Sequence, residues 1–142
     1  MNLKHLLESY KYNMINVELQ EINRKSNESF GVLKFNDDIS SVFYLEPKEE
    51  YVKSIQIISA TTPSKDLTLS NQLKHTEKLL EIIIKTIQIL TYLNDQEIKI
   101  ILNSLGLFDG SFIEKKQLKH DKYYFKIAVI DNLLMLTIAI EE

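Results

Sequence analysis

The chain has 142 residues, 44% of them hydrophobic and 26% charged, a formal net charge of -3 and no cysteine. A chain of that length buries roughly 68 to 70% of the surface its unfolded form exposes, so residues 1–142 make one domain without disulfide or metal staples. The missing cysteines exclude thiol nucleophiles, thiolate zinc sites and redox pairs, and the single arginine, Arg24, leaves no guanidinium set for reading bases or phosphates, so nucleic acid is not an expected partner.

Leu3, Leu6, Leu7 and Tyr10 recur at helical spacing, and residues 1–12 lack the apolar run and small-residue cleavage site of a signal peptide. From Ile15 the period changes to two: Ile15, Val17 and Leu19 alternate with Asn16, Glu18 and Gln20, the pattern of a half-buried strand. A continued helix would also group Met14, Val17 and Leu19 or Ile22, so residues 13–23 admit strand or helix. After a polar break at Lys25-Ser26-Asn27, residues 30–35 read as a second strand, ended by Asn36-Asp37-Asp38. A third strand spans 41–45. Glu46-Pro47-Lys48-Glu49 turns the chain into a fourth, 51–60, and connections this short imply an antiparallel meander.

Thr61-Thr62-Pro63-Ser64 ends that pattern, since proline supplies no ladder donor and biases the residue before it away from helix. With Ser70 as N-cap, residues 71–93 carry Leu73, Leu80, Ile83, Ile84, Ile87 and Leu90 on one side and Leu79, Ile82, Ile89 and Leu93 on another. A helix apolar over so much of its circumference is buried on two sides, and this one is read as the centre of the fold. Its apolar window is interrupted by Glu81, Lys85, Thr86, Gln88 and Thr91 and falls short of the ~20 residues of a membrane span. Asn94-Asp95-Gln96-Glu97 has the form of a capping box opening a second helix, for which Gly106 is the C′ residue. Asp109-Gly110-Ser111 is a turn, and residues 112–121 are a connection or a short strand. Strands at 122–130 and 133–140 are joined by Asp131-Asn132, a pair suited to a type I′ turn. The expected fold is α+β: a mainly antiparallel sheet, order α-ββββ-αα-ββ, packed on one long central helix.

Candidate chemistry is sparse. His5, His75 and His120 lie far apart without partners at ligand spacing, so no metal is expected and each is assigned a solvated or capping role. Ser104 and Ser111 lack a Gly-x-Ser-x-Gly elbow, and an enzyme reading requires His120 and a carboxylate to converge in a cleft. The acid pairs Asp37-Asp38, Glu49-Glu50 and Glu141-Glu142 fall at turns or the terminus, where water solvates both charges and no pKa perturbation is expected. Gly31, Gly106 and Gly110 are too dispersed to cradle a phosphate. No catalytic residue, cofactor or metal is assigned.

The closing hairpin is more informative. In the register set by a two-residue turn, Tyr123, Phe125, Ile127 and Val129 share the core face with Leu134, Leu136, Ile138 and Ile140. Its other face presents Tyr124, Lys126, Ala128 and Ile130 beside Leu133, Met135, Thr137 and Ala139, less polar than a solvated sheet normally is. Val42 and Tyr44 extend the same patch. Either the first helix or segment 112–121 covers it, or it receives another protein or a second copy, and tyrosine and methionine are favoured contact residues. Tyr44, Tyr124, Ile130, Leu133 and Met135 are therefore the candidate interface of a non-enzymatic protein-binding module acting through a sheet face or edge. The alternative is a small apolar-ligand carrier with a pocket between central helix and sheet, lined by Leu80, Ile84, Phe125 and Leu136.

The run from Val52-Lys53-Ser54-Ile55 through the apolar helix, Asn94-Asp95-Gln96-Glu97-Ile98-Lys99, Leu105-Gly106-Leu107 and the Tyr124 hairpin resembles a module of small uncharacterised α+β proteins of low-GC Gram-positive bacteria, often exported or lipid-anchored. The resemblance spans roughly residues 40 to 140 and implies no catalytic residue. The lysine, isoleucine and asparagine enrichment points the same way, to a bacterium of that kind or its phage; the lack of an assembled site or cofactor loop, with the surplus of apolar sheet surface, makes an inhibitor, immunity or accessory factor the expected kind of binding module. This chain lacks the leader and lipobox cysteine of those proteins, which implies a cytoplasmic location if it is complete and an exported or cell-surface one if a leader has been removed.

Overall fold

A computed structural model describes residues 1–24, 28–48 and 50–141; the Lys25-Ser26-Asn27 break, Glu49 and Glu142 lie outside the described residues. Helix α1 (Leu3–Tyr12) starts at Asn2, whose side chain accepts the His5 N–H at 2.8 Å. It ends in a Schellman turn with Met14 in the left-handed region (φ 61°), where Ile15 N–H reaches Tyr10 O at 2.9 Å and Met14 N–H reaches Lys11 O at 3.0 Å. The turn decides the strand-or-helix choice at residues 13–23: the helix stops, Ile15 drops into the core, and strand β1 (Glu18–Arg24) follows. Ile15 and Val17 thus precede the strand instead of opening it, and a bulge between Leu19 and Glu21 resets its alternation.

Strands β2 (Ser29–Lys34), β3 (Ile39–Leu45) and β4 (Val52–Ala60) complete the expected meander. Residues 112–121 resolve into a 3-10 turn at Ser111–Ile113 and a true strand, β5 (Lys116–His120), so three strands close the chain where two were expected, the others being β6 (Tyr123–Ile130) and β7 (Leu133–Ile140). All seven strands form one antiparallel sheet in the order β1-β2-β3-β4-β7-β6-β5. The β4-to-β5 connection therefore passes over two strand positions, and it carries both remaining helices.

Helix α2 (Leu69–Thr91) is capped by Thr68, which accepts the Asn71 N–H at 3.3 Å, and not by Ser70. The helix is thus longer at its start than the apolar pattern implied, and its first turns project from the sheet: Leu73, expected in the core, is 55% exposed. From His75 onward it is buried on two sides, as Leu79, Ile82, Ile83, Ile87, Ile89 and Leu90 join one core with the inner residues of the sheet. Helix α3 (Asp95–Ser104) has the reciprocal capping box of Asn94 and Glu97. It closes at Gly106 (φ 80°), with Leu107 N–H on Leu102 O at 3.1 Å. Gly31 is required for a different reason. A Cβ there would stand 2.2 Å from Phe43 Cζ, because the Phe43 ring lies across its cross-strand partner.

Candidate functional site

Asp131 (φ 52°) and Asn132 (φ 63°) both take the left-handed conformation that a type I′ turn demands. Ile130 consequently pairs with Leu133 and Val129 with Leu134, and the core face of the hairpin is the expected one: Tyr123, Phe125, Ile127, Leu134, Leu136 and Ile138 are buried. Because cross-strand partners share a face, the β6–β7 register passes through β4 to β3, where Tyr44 pairs with Ser54, Ser54 with Ala139 and Ala139 with Tyr124. Tyr44, Tyr124, Ile130, Leu133 and Met135 thus stand on one face of the sheet, with Ile130 54%, Leu133 37% and Tyr44 36% exposed.

Neither expected cover lies over that face. Helix α1 packs on the opposite side: its fully buried Tyr10 hydroxyl meets Thr86 of α2 at 2.7 Å and its ring stands edge-on to Phe35 at 5.3 Å. The Thr86 hydroxyl donates its one hydrogen to Ile82 O at 2.6 Å, so it is Tyr10 that donates to Thr86. Helix α3 buries Ile98, Ile101 and Leu102 in the same core, and segment 116–120 is the sheet's own edge strand. Among the described residues no helix remains to shelter the outer face.

Two further contributors to this face are Phe30, whose ring lies 6.4 Å from that of Tyr44, and Ile58, paired with Met135. Sequence spacing placed both in strands without giving their side; only the register Phe30 with Tyr44 and Ile58 with Met135 does so. The edges of the sheet are less receptive. Strand β1 carries Glu18, Glu21 and Arg24 and a bulge, and β5 is five residues long with Lys116 and Lys119, devices that discourage strand addition.

His5 is exposed, but His75 and His120 do not have the solvated or capping role assigned to each histidine. His75 is buried, and its Nε2 lies 2.7 Å from Ala60 O and 3.2 Å from Ser59 Oγ, tying α2 to the end of β4. His120 does meet a carboxylate, Glu97 Oε2 at 3.0 Å, while Glu97 Oε1 holds the Asn94 N–H. That pair straps the start of α3 to the edge strand and borders neither the groove between α1 and α2 nor the space between α2 and the sheet. Ser104 is exposed, and Ser111 donates to Asp109 at 2.6 Å within its own turn.

In the acid pairs expected to be unperturbed, Asp37 and Glu50 do shift, and downward, as do Asp109 and Glu97. Lys34 and Lys65 hold Asp37 below the usual carboxylate range, Arg24 does so for Glu50, the Ser111 hydroxyl for Asp109, and His120 for Glu97. These shifts keep the carboxylates ionised, opposite to what a general acid at neutral pH needs. Among the described residues no group of three His, Asp or Glu is placed to hold a metal ion, and no helix is long and apolar enough to cross a membrane.

A cavity of about 480 Å³ forms a broad groove between α1 and α2 walled by His5, Glu8, Tyr12 and Tyr92, all exposed. Between α2 and the sheet the space is about 110 Å³, bounded by His75, Leu79, Leu80, Ile83, Phe112 and Leu134. Of the residues expected to line an apolar pocket, only Leu80 borders it; Phe125 and Leu136 are packed in the core. No family model, no curated protein and no solved structure matches the chain.

Proposed function

We propose that the chain is a non-enzymatic protein-binding module whose contact surface is the outer face of the sheet, as in an inhibitor, immunity or accessory factor. The observation that carries this reading is a seven-stranded sheet bearing Phe30, Tyr44, Ile58, Tyr124 and Met135 on a face over which, among the described residues, no helix lies. Apolar and aromatic side chains presented together on a surface mark an interaction site, and blunted edges favour the face over strand addition. The apolar-ligand reading has weaker support, because about 110 Å³ between α2 and the sheet is well under the roughly 300 Å³ at which ligand pockets begin.

Tyr124→Lys and Met135→Lys test the reading. Both side chains point away from the core, so each variant should keep its thermal transition while losing partner capture or self-association. Ile100→Lys, on exposed α3 surface, should retain binding. Collapse of the thermal transition in both sheet variants, or binding unchanged in both, overturns the proposal.

A further inference from the structure

Resting on the reading of the outer face as a docking surface, we propose that its partner is a second copy of this chain, packed face to face about a two-fold axis that runs along the strands between β3 and β4. Among the described residues no ion pair holds Glu18 and Glu21 at the β1 edge or Lys126 on β6, near the other edge, while Lys34, the cross-strand partner of Glu18 on this face, is paired with Asp37 at 3.3 Å. Glu21 and Lys126 belong to one cross-strand row, Glu21, Val32, Val42, Gln56, Thr137 and Lys126.

A two-fold parallel to the strands preserves rows and reverses strand order, so β1 of one copy lies over β6 of the other, β2 over β7 and β3 over β4. Glu21 then faces Lys126, twice by symmetry. An axis perpendicular to the strands would instead set β1 over β1 and acid over acid. The same operation matches large side chains to small ones: Phe30 lies over Ala139 and Tyr44 over Ser54, the arrangement that lets two sheets about 10 Å apart interdigitate. The rotation of about 30° between aligned sheets moves the outer strands by about one row, and Glu18, one row beyond Glu21, keeps an acid near Lys126 on that side. Lys119 on β5, already paired with Glu141 at 2.5 Å, falls outside the overlap.

Six overlapping strands about 4.8 Å apart and about 22 Å long present about 650 Å² per copy. The total of about 1,300 Å² exceeds the ~1,000 Å² expected of a specific association.

The test is sedimentation velocity on the full chain from ~1 to ~100 μM, a range that spans micromolar association. The expected species has twice the 16.6 kDa chain mass. Lys126→Glu alone, and Glu18→Lys with Glu21→Lys, should each raise the dissociation midpoint at least ~tenfold. Combining all three should bring it back, while thermal melts confirm that every variant is folded. A wild-type monomer throughout the range, a dimer indifferent to both swaps, or a triple variant that stays monomeric overturns the proposal. If the wild type is monomeric but Tyr124→Lys and Met135→Lys still abolish capture of a different protein, the second copy is ruled out and the docking face stands. If they abolish nothing, both fall.

Discussion

Tyr10→Phe separates the two contributions of the residue that holds α1 away from the open face. The Tyr10 side chain is fully buried and its hydroxyl donates to Thr86, while the Phe35 ring contact needs no hydroxyl. Near pH 8 the variant loses one net hydrogen bond, about 1 kcal/mol. Burial raises the Tyr10 pKa, more than the Thr86 bond lowers it. The neutral form therefore stabilises the fold fully below the unfolded value near 10, and that stability drains as pH climbs from there toward the higher folded value. The slope approaches 1.36 kcal/mol per pH unit, so about 1.4 kcal/mol is lost between pH 9 and pH 11. Phenylalanine has nothing to ionise. Urea unfolding of both proteins followed by far-UV circular dichroism should show wild type ahead by about 1 kcal/mol at pH 8, with the two stabilities crossing near pH ~10.7. All other titrations cancel in the difference. A gap that stays constant from pH 8 to pH 11 would refute the buried, hydrogen-bonded phenol.

Ser41 is fully buried among Leu33 and Ile57, and its hydroxyl has no hydrogen-bond partner among the described residues, so Ser41→Ala should raise the urea midpoint by an amount equivalent to about 1 kcal/mol. Gly31→Ala sets a methyl against Phe43 Cζ at 2.2 Å and the Glu21 carbonyl oxygen at 2.8 Å; displacing a core ring and an edge strand should cost about 2 kcal/mol in the same assay. Glu97 is held below its ordinary pKa chiefly by the His120 hydrogen bond, so its contribution is present above about pH 4.3 and disappears as pH falls through the lower folded value. Glu97→Gln should flatten that part of the acid limb in pH-dependent melting curves, and an unchanged acid limb would show that the strap between α3 and β5 contributes nothing.

Local periodicity and capping chemistry were enough to identify the elements in which near neighbours decide the outcome. Asn94 with Glu97 starts α3, Gly106 ends it, and Asp131-Asn132 fixes the hairpin register, because each outcome depends on hydrogen bonds and φ preferences spanning at most a few residues. The α+β class followed from the switch between periods of two and 3.6. Boundaries set from farther away were not legible. The helix stops at Met14, a left-handed residue with no glycine to announce it, and Thr68 caps α2 ahead of the apolar stripe. Residues 116–120 became strand because β6 offered a free edge to pair with.

The candidate face divides in the same way. Alternation alone put Tyr124 and Met135 on the outward side of the last hairpin, since that needs only the turn. That Phe30, Tyr44 and Ile58 join them depends on registers across four strands, and that the face lies bare depends on which side α1 packs. Those are long-range choices, settled by where the Tyr10 phenol finds Thr86 and where the core closes, and pattern within one segment carries no information about them.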